Sequence, residues 1–158
     1  MIGEIRDAET ARIAIEAGLT GHLLMTTMHS GNPAGALLRL LEMGIEPYQV
    51  TSSVNAVLNQ RLVRKLCDNC KRENKETGLF EPSGCDKCFN TGFKGRALIA
   101  EMLELDGELR KAILAKSDLD QLKEIINKRG HMSIQQHGNQ LVKTGVTTKG
   151  EIQKVCNL

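Results

Sequence analysis

The stretch Thr20-Gly21-His22-Leu23-Leu24-Met25-Thr26-Thr27-Met28-His29-Ser30 decides the fold class. Between His22 and Met28 the apolar residues fall on both parities. A strand with one wet face alternates apolar and polar residues, whereas one apolar on both parities reads as a parallel strand covered on both sides. Upstream, Asp7-Ala8-Glu9-Thr10 opens a helix with Asp7 as N-cap, and Gly18 closes it. Before that helix, Met1-Ile2-Gly3-Glu4 reads as the end of another buried strand whose body is missing. The 158 residues are therefore not expected to be the natural length. Downstream, Ser30-Gly31-Asn32-Pro33 turns into a helix over 34–43, stopped by Gly44. A further helix is expected over 47–60 and a strand over 61–66. Strands and helices alternating in this way predict an α/β piece, and roughly 66 residues make half of a doubly wound sheet rather than a whole one.

The chain then changes character. Cys67-Asp68-Asn69-Cys70 and Cys85-Asp86-Lys87-Cys88 set two C-x2-C pairs fourteen residues apart. Two such knuckles let four thiolates converge on one ion, and a four-cysteine site leaves no open position for catalysis. The spacing points to structural zinc. Disulfides, a redox pair and an iron–sulfur cluster are the rival readings. The N-terminus shows no secretory signal, which argues against disulfides. Arg64, Lys65, Lys71, Arg72 and Lys87 surround the knuckles and can offset the charge of a zinc–tetrathiolate. Cys156 stands apart and reads as a small buried helix residue.

Between the knuckles, 71–84 is polar and loop-like. A turn over 91–95 leads to a strand over 96–105. Helices are expected over 107–116, 118–129, 133–144 and 148–156, with Asp118 and Thr147-Thr148 as cap chemistry. A small all-α piece thus closes the chain. The expected division is 1–66 for the α/β half, 67–95 for the zinc loop, and 96–158 for the strand and helical subdomain.

Composition excludes several functions. The chain carries 21 basic and 19 acidic residues, a net +2, too near neutral for a nucleic-acid binder driven by bulk charge. Three Phe, one Tyr and no Trp are too few for a base-stacking platform. No apolar run is long enough to span a bilayer. No Gly-Lys dipeptide occurs, so the phosphate-binding loop G-x4-G-K-[ST] is absent. Nucleotide hydrolysis by this chain alone is therefore not expected.

Two side chains stand where chemistry can occur. A carboxylate at the C-terminal end of a parallel strand, as Glu4 would be, points into the ligand crevice, where it can hold Mg²⁺ through water or orient a nucleophilic water. The bland alternative is an exposed Glu4 paired with Arg6. His29 lies just past the end of the next strand, beside a Ser-Gly-Asn turn, where it could reach a phosphate. His22 lies at the opposite end. A capped or solvated histidine is the default for both.

Taken together, five segments resemble one family. Ile2 to Ala11 looks like the Walker B segment of the type II secretion and type IV pilus assembly ATPases. Thr20 to Ser30 looks like their His box. Gln60 to Cys67 and Gly84 to Arg96 look like the flanks of their tetracysteine loop, and Gly145 to Ile152 like their closing helix. That loop points to the secretion and pilus-extension branch rather than to the retraction motors. Gly3 stands where many other phosphate-loop proteins carry Asp, as is usual in this family, and Leu98 stands where many members carry Gly.

The resemblance implies the C-terminal half of a RecA-like core, truncated before the Walker B strand, in a hexameric ATPase that drives pilin or pseudopilin assembly and protein secretion. Missing are the phosphate loop, the acidic box with the proposed general base, and the preceding domain's arginine fingers. It also implies roles. Glu4 is the Walker B acid near Mg²⁺, His29 contacts or senses the γ-phosphate of ATP, and Arg61 lies near the nucleotide pocket. Cys67, Cys70, Cys85 and Cys88 bind zinc. The implied partners are other ATPase subunits and inner-membrane platform proteins, with no nucleic acid. The implied location is the cytoplasm, peripheral to the inner membrane through those partners. The competing reading is a self-sufficient zinc-ribbon module for interaction or nucleic-acid binding, motivated by the basic run from Arg61 to Arg72.

Overall fold

The computed structural model describes residues 1–128 and 130–156. It is mixed α/β: helices α1 (Ala8–Leu19), α2 (Pro33–Glu42) and α3 (Pro47–Ser53), strands β1 (Ala56–Leu66), β2 (Arg72–Asn74), β3 (Leu79–Glu81) and β4 (Phe93–Glu104), then helices α4 (Gly107–Leu114), α5 (Leu119–Lys128), α6 (Ile134–Lys143) and α7 (Lys149–Cys156). Two compact units emerge: Met1–Leu58 with Met102–His131, and Asn59–Glu101 with Met132–Leu158.

The first unit is built on α1 to α5. Its core gathers Ile15 of α1, Leu37 of α2, Val50 of α3, Leu109 and Ile113 of α4 and Leu122 of α5. Caps start the helices as the residues dictate. The Asp7 carboxylate accepts the Thr10 N–H at 2.8 Å, and the Asn32 side chain accepts the Gly35 N–H at 2.9 Å with Pro33 opening α2. Helices α1 and α3 touch closely at Gly18, where a Cβ would lie 2.9 Å from that of Ser53.

The two segments expected as buried strands are extended but short of a ladder. Ile2 N–H donates to Met25 O at 3.1 Å and Ile5 N–H to Thr27 O at 2.9 Å, so the two segments run side by side in one direction. Leu24 and Met28 pack on the core, whereas Leu23 and Met25 are 89 % and 65 % exposed. The expected cover on both faces is thus present on one face only among the described residues.

The second unit holds the cysteines. Strands β1 and β4 form a two-stranded sheet. Leu105 N–H bonds Asn55 O within the first unit and Cys67 N–H bonds Gly92 O within the second, both at 2.9 Å, so the strands run antiparallel. A small core of Val63, Ile99, Val142 and Ile152 lies beneath. Helix α6 meets α7 at Gly138, where a Cβ would sit 2.8 Å from Ile152 Cδ1.

Two sequence expectations need correction. The helix read over 47–60 ends at Ser53, and β1 begins at Ala56. Nor is 71–84 a plain loop: β2 and β3 pair antiparallel with Arg72 opposite Glu81. The Asn74 side chain makes that hairpin by accepting the N–H groups of Glu76 and Thr77. The four C-terminal helices fall where expected, apart from residue 129 at the end of the second, which lies outside the described residues.

Candidate functional site

Glu4 and His29 come together in the first unit. Buried Ile5 anchors the strand end that carries Glu4, and the Thr27 hydroxyl donates to Gly3 O at 2.8 Å, locking the two extended segments side by side. Glu4 Oε2 accepts from Arg6 Nε at 2.8 Å. Its Oε1 lies 3.0 Å from His29 Nε2 yet is sealed from solvent and has no hydrogen-bond partner. Glu4 therefore pairs with Arg6, as its bland reading has it, and also faces His29. The Arg6 hydrogen bond holds the Glu4 carboxyl below its ordinary range against the opposing effect of burial, and the nearby charges of Arg6, His29 and Arg39 add to it. An ionised carboxylate whose second oxygen faces a histidine without a hydrogen bond keeps lone pairs for a water, including a metal-bound water.

The His29 side chain is open to solvent, whereas its backbone is held. Arg39 of α2 reaches back to donate to the His29 carbonyl at 3.2 Å. Arg39 was not singled out from sequence, and only its place one helix turn from the end of α2 could have suggested it. His22 bonds the Thr20 hydroxyl at 3.1 Å and has a local role. Arg61 belongs to the second unit, where it donates to Asn59 Oδ1 and to Gln60 O, each at 2.9 Å.

The four cysteines converge, with all four sulfurs within 4.8 Å of one another. Cys67 Sγ lies 3.9 Å from Cys85 Sγ, Cys70 Sγ 3.7 Å from Cys88 Sγ, and Cys85 Sγ 3.8 Å from Cys88 Sγ. A disulfide needs about 2.05 Å. Four sulfurs at ~2.3 Å from one tetrahedral ion lie about 3.8 Å apart. The cluster fits a metal ion and does not fit disulfides. Donors surround it: the Cys85 and Gly92 N–H groups reach Cys88 Sγ, both at 3.3 Å, and the Asn69 amide reaches Cys85 Sγ at 3.4 Å. Burial raises the Cys88 thiol, but those two backbone donors together with the Cys70 and Cys85 side chains outweigh it and hold the group at about 6. Burial dominates at Cys70, which is pushed up to about 11.

The expected basic rim is mostly engaged. Lys65 and Lys71 both pair with Asp68 at 3.0 Å, and Arg64 makes a two-pronged bond to Glu151 at 2.8 and 2.6 Å. Asn69 and Glu151 were missed in the sequence. Asn69 carried one signal, an amide placed between two ligand cysteines.

The sequence model described as Type II/IV secretion system protein matches residues 1–154. The chain belongs to that family. It is 41 % identical to the type IV pilus assembly ATPase PilB of Thermus thermophilus, matched over 96 % of this chain and 19 % of that protein. It is 42 % identical to type II secretion system protein E of Dickeya dadantii, over 98 % of this chain and 34 % of the relative. Family member though it is, the chain thus spans only a fifth to a third of these relatives' length. Among solved structures, it resembles the pilus retraction motor PilT with bound ADP at a TM-score of 0.70 and 20 % identity, over 96 % of this chain and 37 % of that one. It resembles the ATPase DotB of Legionella pneumophila at a TM-score of 0.68 and 20 % identity, over 97 % of this chain and 37 % of that one. The fold is that of the secretion and pilus motor ATPases. No helix among the described residues is long and apolar enough to cross a membrane.

Proposed function

We propose that this chain is the C-terminal part of a hexameric, RecA-like secretion or pilus-assembly motor, acting at the cytoplasmic side of the inner membrane through platform partners, and that it does not turn over ATP alone. The observation that carries this is the Glu4–His29 contact at 3.0 Å with Glu4 Oε1 otherwise unpaired. Glu4 acts as the acid that accepts from water bound to Mg²⁺, and Mg²⁺ supplies charge neutralisation of the ATP phosphates when bound. His29, exposed at the side chain and tethered at the carbonyl by Arg39, reports the state of the γ-phosphate to Glu4. Arg61 lines the nucleotide pocket in the assembled motor. The exposed pair Leu23 and Met25 supports a half sheet whose second face is covered elsewhere in the complete subunit.

Cys67, Cys70, Cys85 and Cys88 hold structural zinc within a loop over 67–95. Zinc suits four thiolates in a closed tetrahedral site and supplies folding energy there, not catalysis. The zinc-ribbon alternative draws no support from the family match, which extends far beyond the cysteine loop.

The test is Mg²⁺-dependent ATP hydrolysis. The purified 158-residue chain is expected to show none. In the complete motor subunit, Glu4→Gln is expected to abolish turnover while ATP binding persists. Turnover by the isolated chain that Glu4→Gln removes would overturn the inactivity of the piece. An unaffected Glu4→Gln motor would overturn the role of the acid.

A further inference from the structure

The two knuckles are joined by a side-chain relay that crosses the cluster twice. Lys87, from the second knuckle, places Nζ 3.0 Å from Oδ1 of Asn69 in the first. The Asn69 Nδ2 then returns to Cys85 Sγ, in the second, at 3.4 Å. The direction of the amide is settled by chemistry. A lysine ammonium has three donors and no acceptor, so it requires the carboxamide oxygen, and the NH₂ group is left facing the sulfur. Among the described residues, Asn69 is the only side chain whose N–H reaches a cysteine sulfur. The N–H groups that reach Cys88 Sγ, those of Cys85 and Gly92, belong to the backbone, and no substitution of a side chain removes them.

We propose that Asn69, oriented by Lys87, is a positioning residue of the metal centre: its amide fixes the Cys85 thiolate toward the ion and draws off part of its negative charge. This rests on the reading of the cluster as a metal site. Four thiolates around one divalent ion carry a net charge of −2, so each N–H aimed at a sulfur stabilises the loaded state over the empty one. Groups in this outer position commonly change metal affinity 10- to 100-fold when removed. Because the relay joins both knuckles, it also favours their closed arrangement before the ion arrives. The Lys87 ammonium acts through the amide and not on the sulfur, so its effect depends on Asn69.

The experiment is a zinc competition titration of the full 158-residue chain against a chromogenic chelator, with cobalt substitution read by its sulfur-to-metal charge-transfer band. The wild-type chain is expected to take up one ion. Asn69→Ala is expected to weaken binding about tenfold or more and to shift the cobalt band. Asn69→Asp, equal in shape but with a negative oxygen facing the thiolate, is expected to weaken it further. Lys87→Ala is expected to weaken binding alone and to add nothing in the Asn69→Ala background. Circular dichroism of the loaded variants keeps the comparison to folded protein. A wild-type chain that binds no metal would overturn the metal reading and this inference with it. A normal wild type with an unchanged Asn69→Ala affinity and band would overturn the inference alone, as would full additivity of the two alanine variants.

Discussion

Residue by residue, the charged pairs divide by burial. Glu151 is 8 % exposed and grips Arg64, itself half open, at 2.6 Å. The Arg64 hydrogen bonds outweigh burial and lower the Glu151 carboxyl from 4.5 to about 2. A folded value below the unfolded one means the pair's stabilisation is present above about pH 4.5 and is lost as pH falls toward 2. The shift alone would correspond to ~3 kcal/mol, and solvent around Arg64 reduces that to about 1–2 kcal/mol. Urea midpoints measured between pH 6 and pH 2.5 should therefore converge for the wild type and Glu151→Gln as acid is added. Parallel curves would show that the pair carries no pH-linked stability. Glu4 offers a second check of direction. Its Arg6 bond is the largest cause of its lowered value, so Arg6→Ala should move the Glu4 carboxyl upward in an NMR titration. No movement would assign that lowering to His29 and Arg39 instead.

At the scale of elements, two opposing effects meet at Gly138 of α6. Alanine favours a helix over glycine by about 1 kcal/mol. Its methyl, however, would lie 2.8 Å from Ile152 Cδ1 and 3.0 Å from Cγ2, and Ile152 is fully packed. Overpacking of this kind costs roughly 1–3 kcal/mol, so Gly138→Ala should be destabilising by about 1 kcal/mol net. A raised melting temperature would mean that α7 gives way. The same elements show what the sequence could and could not disclose. Helices α4 to α7 were legible because each has its own cap, such as Asp118 accepting the Gln121 N–H at 2.9 Å and Thr148 accepting that of Glu151. The β2–β3 hairpin was not, since strands of three residues, Arg-Glu-Asn and Leu-Phe-Glu, are too short to show a period and the turn depends on Asn74. The end of α3 was overrun because the residues after Ser53 are as compatible with a helix as with the β1 pairing that claims them. Glu4 and His29 were each visible from their positions beside expected strands, whereas Arg64 with Glu151 joins residues 87 apart that no local pattern links.

For the molecule as a whole, the two units differ in what holds them. Among the described residues the first core gathers 16 buried apolar side chains and the second only four. A core that small rarely sustains a fold without a staple such as a structural metal. In the second unit the cysteine loop is tied to the C-terminal helices. Leu66 N–H bonds Val146 O at 2.8 Å, Lys71 Nζ bonds Gly145 O at 3.1 Å, and the Thr147 hydroxyl bonds Arg64 O at 2.8 Å. The Phe80 ring of β3 lies so close to Gly145 that a Cβ there would come within 2.5 Å of it. Loss of the ion would therefore propagate from the loop to α6 and α7, because metal binding energy in such sites is folding energy. Chelation of the loaded chain, followed by amide exchange, should strip protection from Val63, Ile99, Val142 and Ile152. Protection at Leu37, Leu109 and Leu122 in the first core should survive. Uniform loss across both cores would mean that the units unfold together. Unchanged protection at Val142 and Ile152 would mean that four buried side chains suffice, and that the ion orders only its own loop.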